Sequence, residues 1–173
     1  NTTRVVKFLH PSLASEHELM SRFLREALAV AEIGSKTIVE VFDATEGRPG
    51  EFPPYIVLEF LDGEDLSSLL KREGALTIAR AIKIIRQVCD GLGAAHDKGI
   101  VHRDLKPENI FLIKDGEYPD FAKILDFGIS KIKEKAEEVD SLTATGQALG
   151  TPFYMSVEQA HGQKDVDGRA DIY

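Results

Sequence analysis

Cysteine is almost missing from this chain. Cys89 is the single one among 173 residues, which excludes an internal disulfide and fits a reducing, cytoplasmic setting. It falls on the apolar face of a helical stretch, where a buried and inert thiol is expected. No apolar run reaches the roughly 18 residues that cross a bilayer, and these residues contain no signal-peptide pattern. Internal repeats are lacking as well. Positive charge is in deficit, with 21 Lys and Arg against 29 Asp and Glu, a formal net charge of -8. That balance argues against nucleic acid or an anionic membrane as the main partner. What remains is ordinary for one soluble globular domain, 43% hydrophobic and 29% charged, and a chain of this length can bury a sizeable core.

One stretch is far from ordinary. His102-Arg103-Asp104-Leu105-Lys106-Pro107-Glu108-Asn109 is followed by Asp126-Phe127-Gly128. Apolar runs enclose these polar groups: Gly99-Ile100-Val101 before them, Ile110-Phe111-Leu112-Ile113 after Asn109, and residues 121–125 ahead of Asp126. The polar groups therefore fall at strand ends and turns, where a rigid scaffold can aim them. Phosphoryl transfer needs a divalent metal to neutralise the phosphates and a side chain to accept the hydroxyl proton. Asp104 suits the base, while Asn109 and Asp126 offer the hard oxygen ligands that Mg²⁺ prefers.

A second anomaly lies near the start. Residues 4–9 read as a strand with Lys7 among apolar neighbours, ended by His10-Pro11. Ser15 with Glu18 makes a capping box for a helix running to about Ile33, before Gly34. Leu19, Phe23 and Val30 mark its apolar stripe, and Glu26 falls on the same stripe. An inward carboxylate without a partner is costly. Lys7 is its natural partner.

Further on, residues 38–44 and 55–60 read as a two-strand meander around a Gly/Pro-rich loop. Glu59-Phe60-Leu61-Asp62-Gly63 shifts from apolar strand to polar turn, the pattern of a hinge. Residues 65–72 form a short helix. Thr77 caps a long one with Ile78, Ala81, Ile82, Ile85, Val88, Cys89 and Leu92 on its buried side, and Gly91 and Gly93 allow close packing. Residues 114–117 turn a hairpin. Residues 131–140 carry mixed charge and lead into a Ser/Thr/Gly-rich stretch that ends at Thr151, which reads as a solvated loop.

The two polar stretches resemble the catalytic and metal-binding loops of eukaryotic-type protein kinases, and details point to the bacterial serine/threonine branch. Arg4-Val5-Val6-Lys7 is similar to the family's Val-Ala-Ile-Lys strand, and Glu26 to the helix Glu that pairs with its Lys. Gly150-Thr151-Pro152-Phe153-Tyr154-Met155-Ser156-Val157-Glu158-Gln159-Ala160 resembles the bacterial Gly-Thr-x-x-Tyr-Met-Ser-Pro-Glu-Gln-Ala pattern, with Val157 in place of the usual Pro. The resemblance implies an α+β, bilobal fold truncated at both ends. Residues 1–61 would be a partial small lobe, with the third strand, helix C, the fourth and fifth strands and the hinge. Residues 62–173 would be a partial large lobe, with the catalytic, metal and activation loops and the start of the central helix.

It also implies roles. Asp104 accepts the hydroxyl proton and Lys106 contacts the γ-phosphate, a Lys typical of serine/threonine specificity. Asn109 and Asp126 hold Mg²⁺ (or Mn²⁺), and Lys7, held by Glu26, takes the α/β-phosphates of ATP. Leu58 is the gatekeeper, the backbone from Glu59 to Leu61 binds the base, and Phe111 joins the nucleotide-binding set. Arg103 receives a loop phosphate, for which Thr143 and Thr145 are the candidate sites. Thr151 bonds Asp104 and Lys106. Asp171 holds the catalytic-loop backbone, and His102, Phe127, Val30 and a strand residue stack as a spine. Partners would be ATP and proteins with Ser or Thr acceptors, with self-association for autophosphorylation.

The Gly-rich phosphate loop is expected before this segment and further helices after it, so the 173 residues alone are expected to be weak or inactive. Two other readings stay open: a pseudokinase scaffold, and a small-molecule phosphotransferase of similar fold.

Overall fold

The computed structural model describes residues 2–9, 17–48, 51–115, 118–127, 152–163 and 165–173. Strand β1 (Arg4–Phe8) is followed by helix α1 (His17–Ala31) and then strands β2 (Val41–Thr45) and β3 (Tyr55–Glu59). They form an antiparallel sheet in the order β1-β3-β2, with Val5 opposite Leu58 and Lys7 opposite Ile56. The stripe expected on α1 is buried, with Leu19, Phe23, Leu24, Ala27 and Val30 turned inward. Leu9 and Ile56 join Leu19, Phe23, Leu24 and Ala27 in one apolar cluster between helix and sheet. His10, Pro11 and Ser15, which carry the expected strand end and capping box, lie outside the described residues.

Residues 60–62 carry the chain from β3 into β4 (Gly63–Asp65), helix α2 (Leu66–Glu73) and the long helix α3 (Ile78–His96). Asp65 caps α2 by accepting from the Ser68 N–H at 2.9 Å. Thr77 caps α3 as its sequence requires, accepting from the Arg80 N–H. A short 3₁₀ turn, Pro107–Asn109, then leads into the hairpin of β5 (Ile110–Asp115) and β6 (Tyr118–Ile124), which pairs with β4 in a second antiparallel sheet. The main core lies between α3 and this hairpin, from Ile84, Val88, Leu92 and Ala95 on one side to Ile110, Leu112, Ala122 and Ile124 on the other. The chain closes with the one-turn helix α4 (Val157–Ala160) and a 3₁₀ turn, Gly168–Asp171.

The buried face of α3 differs from expectation. Ile84, Val88, Gly91, Leu92 and Ala95 face inward, whereas Ile78, Ile82 and Ile85 are 79, 61 and 50% exposed. Cys89 is an exposed thiol rather than a buried one. The helix carries two apolar stripes of similar strength, and its own periodicity cannot say which of them β6 covers. Gly91 meets the expectation of close packing, since a Cβ there would lie 2.6 Å from Thr37 Oγ1 and 2.9 Å from Ile124 Cδ1. Gly93 does not, having no neighbour within 4 Å of that position.

Contacts from three places join the β1-β3-β2 unit to the part of the chain that follows it. Residues 37–39 run beside β6, with the Val39 N–H bonded to the Ile124 carbonyl at 2.9 Å and the Ile124 N–H to the Thr37 carbonyl at 2.8 Å. Lys98 reaches the Glu32 carbonyl just past the end of α1. Lys123 on β6 pairs with Glu59 at the end of β3, 2.5 Å apart, with side chains only 11 and 18% exposed.

Candidate active site

The catalytic-loop residues sit between the end of α3 and β5, in backbone that tertiary bonds hold in place. Arg103 has φ 68° and Asp126 has φ 56°, the two non-glycine residues with positive φ among those described. Such a conformation costs on the order of 1–3 kcal/mol and persists only where surrounding structure enforces it. For Arg103 the enforcement is visible. Its N–H donates to Asp171 Oδ1 at 2.7 Å, the neighbouring His102 N–H donates to Asp171 Oδ2 at 2.8 Å, and its own carbonyl accepts from Gln159 Nε2 at 2.6 Å. His96 Nε2 donates to the same Asp171 Oδ2 at 2.7 Å.

His102 is fully buried. Its Nε2–H donates to the Leu125 carbonyl at 2.7 Å, so Nδ1 is left to accept the Asp104 N–H at 3.2 Å. Burial pushes the imidazole below its usual pKa, and this bonding pattern needs the neutral ring. The ring lies 4.7 Å from that of Phe127. Both Phe127 and Val30 belong to the main core.

Asp104 is the most heavily bonded carboxylate of the loop. Lys106 Nζ lies 3.0 and 2.9 Å from its two oxygens, and Asn109 Nδ2 lies 3.2 Å from Oδ2 and 2.7 Å from the Asp104 carbonyl. The Asn109 amide nitrogen is thereby committed to Asp104, which leaves Oδ1 as its atom for a cation. The Leu125 N–H donates to the Asn109 carbonyl at 2.9 Å and ties this loop to the one bearing Asp126. Asp104, Lys106, Asn109 and Asp126 thus come together from two loops joined by the β5–β6 hairpin.

Lys7 and Glu26 correct the expected pairing. Lys7 Nζ bonds Asp126 Oδ1 at 2.5 Å, while Glu26 Oε1 takes Arg22 Nε at 2.9 Å. Arg22 is one turn away on the same helix, so its pair forms with no tertiary adjustment. Lys7 meets a carboxylate that has no other cation within reach among the described residues. Among the described residues the second oxygen of Glu26 is buried without a hydrogen-bond partner, and so is Nε of Arg103. Both residues border a cavity of about 270 Å³ between α1 and the catalytic loop, along with Arg22, Val30, Ile100 and Phe127.

Where the hinge is expected, Leu58 is half-buried on β3 opposite Val5 and Val41. The Glu59 N–H is already bonded to the Glu40 carbonyl at 3.0 Å, and its side chain accepts from Lys123 at 2.5 Å and from the Glu40 N–H at 2.7 Å. The backbone polar groups of Leu61 have no partner among the described residues. Phe111 is half-buried on β5, opposite Lys123 and Asp65. Gly128, Thr143, Thr145 and Thr151 lie outside the described residues.

Sequence reasoning missed Arg22, Lys123 and Gln159. Two of them carried a signal. Lys123 interrupts the apolar run 121–125 as Lys7 interrupts its strand, and Ser156-x-x-Gln159 is a capping-box spacing.

Two antiparallel sheets joined by a short link, a carboxylate clamped by a Lys and an Asn, and a second carboxylate one hairpin away place the molecule in the class of kinase-like folds. The chain belongs to the protein kinase domain family, which matches residues 1–173. It is 46% identical over 168 residues to the serine/threonine-protein kinase Pkn1 of Myxococcus xanthus, covering 97% of this chain and 23% of that protein. With the serine/threonine-protein kinase PknB of Mycolicibacterium smegmatis it shares 39% identity over 169 residues, 97% of this chain and 26% of the relative. Among solved structures, the PknI kinase domain of Mycobacterium tuberculosis aligns with a TM-score of 0.69 at 30% identity, over 97% of this chain and 58% of that one. The chain therefore spans about a quarter of the length of these curated relatives and somewhat over half of the PknI domain.

Proposed function

We propose that the protein containing this chain is an ATP-dependent serine/threonine protein kinase. The observation that carries the reading is the Asp104 carboxylate, held by Lys106 and Asn109 and linked through the Asn109 backbone to the strand end that bears Asp126. In this reading Asp104 orients the acceptor hydroxyl and takes its proton. Lys106 stabilises charge on the transferring phosphoryl, and positioning supplies most of the rate. The names of the relatives, each a serine/threonine-protein kinase, support a Ser or Thr acceptor.

The donor set fits a hard divalent ion. Among the described residues Asn109 Oδ1 is uncommitted, and Asp126 supplies a carboxylate. Two protein oxygens completed by nucleotide phosphates are a usual Mg²⁺ arrangement. Asn109 and Asp126 would hold Mg²⁺ (or Mn²⁺), which would neutralise phosphate oxygens when bound. Lys7 then belongs to the α/β-phosphates. The buried oxygen of Glu26, without a partner among the described residues, is the atom that can receive it once it leaves Asp126. Leu58 and the open backbone of Leu61 form the base-binding side with Phe111.

The Arg103 Nε–H, without a partner among the described residues at the cavity, suits binding of a phosphate group, with Thr143 and Thr145 as the modified residues. Such modification within a pair of molecules gives self-association a purpose. In the full-length protein, Asp104→Asn is expected to lower transfer to a Ser/Thr peptide by roughly 10²–10⁴-fold while nucleotide affinity is retained. Full activity of that variant would refute the assignment. Phosphopeptide mapping that finds Thr143 and Thr145 unmodified in active protein would remove the regulatory part.

A further inference from the structure

We propose that Gln159 is a positioning residue for the catalytic loop, joining the segment around α4 to the peptide plane that carries Asp104. The proposal rests on the kinase reading above and adds a residue to it. The Arg103–Asp104 peptide is gripped at both ends: its carbonyl accepts from Gln159 Nε2 at 2.6 Å, and its N–H donates to His102 Nδ1 at 3.2 Å. Turning that plane swings the Cα–Cβ bond of Asp104, and with it the carboxylate between Lys106 and Asn109. Arg103 has φ 68°, so the plane is held where a free chain would not leave it.

The amide of Gln159 is itself fixed. Its Oε1 accepts the Ser156 N–H at 3.2 Å, and its backbone N–H donates to Ser156 Oγ at 3.4 Å, which makes the pair a capping box at the start of α4. Ser156 is 1% exposed. With the amide oxygen committed to Ser156, the nitrogen must face Arg103, and one amide orientation satisfies both neighbours. A shift of Ser156 or α4 is therefore passed to the Asp104 backbone through a single side chain. That route links residues 152–160, the end of the substrate-side loop in the proposed reading, to the catalytic carboxylate.

The test is Gln159→Glu in the full-length protein. Glu keeps the length and the acceptor for Ser156 but at neutral pH has no donor for the Arg103 carbonyl. The expected result at pH 7.5 is a fall in kcat of about 10- to 100-fold, as a small misplacement of a reacting group produces. KM for ATP and for a Ser/Thr peptide should stay within about two-fold, as expected when only transition-state positioning is lost. Acidification returns a proton to the introduced carboxylate and restores a donor, so the kcat deficit relative to the native protein should shrink as pH falls toward 5. Gln159→Met, of similar volume and uncharged, should show a deficit that does not depend on pH. It also carries the test should Gln159→Glu fail to fold.

A native kcat in Gln159→Glu, or in Gln159→Met if that is the variant that folds, overturns the proposal. So does a change confined to KM or melting temperature. Asp104→Asn assayed in parallel separates the two levels. Undiminished transfer by Asp104→Asn refutes the underlying assignment, whereas an inactive Asp104→Asn beside a fully active Gln159→Glu refutes the positioning role alone.

Discussion

The catalytic loop and the Lys7–α1 region hold their charged groups in different ways. Around His102 and Asp104 the backbone of residues 102 and 103 is bonded to distant residues, while the Asp104 carboxylate is bonded within its own loop. Asp171 alone accepts from His96, His102 and Arg103, which lie 75, 69 and 68 positions away in sequence, and its side chain is fully buried. Around α1 the pairs are half-exposed, Lys7 with Asp126 at 31 and 27% and Arg22 with Glu26 at 34 and 25%. One region is fixed by buried bonds that have no substitute, and the other by ion pairs that can be exchanged. The first presents a carboxylate in a set geometry. The second can change partners, as the proposed role of Lys7 on the nucleotide phosphates requires.

The sharpest way to break the contrast is Asp171→Ala. It removes the charged acceptor of two backbone N–H groups, one of them buried, and releases a strained residue, so a loss of at least about 3 kcal/mol is expected, read from equilibrium unfolding in urea. A loss below about 1 kcal/mol, the net worth of a single ordinary hydrogen bond, would mean that the loop does not depend on this anchor. Lys123→Met comes next. It leaves the poorly exposed Glu59 carboxylate without its cation, and about 2 kcal/mol of destabilisation is expected, with weakened nucleotide binding if the hinge strand shifts.

Stability should also depend on pH through His102. His102 is neutral when folded and its pKa is depressed by burial, so below the unfolded value of about 6.5 the unfolded chain binds a proton that the folded chain does not. Stability should therefore fall as pH drops through about 6.5, by up to about 1.4 kcal/mol per unit until the folded pKa is reached. His102→Phe should flatten that slope in a series of melts between about pH 7.5 and 5.5, a window that brackets the unfolded pKa, and an unchanged slope would assign it elsewhere. The smallest effect is expected from Arg22→Ala. Losing a half-exposed i,i+4 pair should change stability by less than about 1 kcal/mol, yet it frees Glu26 for Lys7. ATP affinity in the full-length protein should rise or hold, and a marked fall would show that Arg22 supports the site rather than competing in it.

Much of the site was legible because its spacing is local. Asp104, Lys106 and Asn109 lie within one loop and its 3₁₀ turn, and their mutual bonds follow from that short stretch. Asp126 follows a hairpin that the apolar runs announce. The capping role of Thr77 and the buried stripe of α1 were legible for the same reason, since both depend on neighbours within four residues. The partner of Lys7 was not, because Asp126 and Glu26 compete for it and the winner lies 119 positions away. The covered side of α3 was not either, because two apolar stripes satisfy the same helical period and the position of β6 selects between them.

The sequence alone therefore determined the family, the order of the elements and the identity of the chemical groups, since each depends on residue type and short spacing. Tertiary structure decided which charges meet, which face of α3 is dry and what holds the Arg103 carbonyl. Those outcomes depend on distances between segments far apart in the chain, and burial makes the bonds formed there too costly to leave unsatisfied.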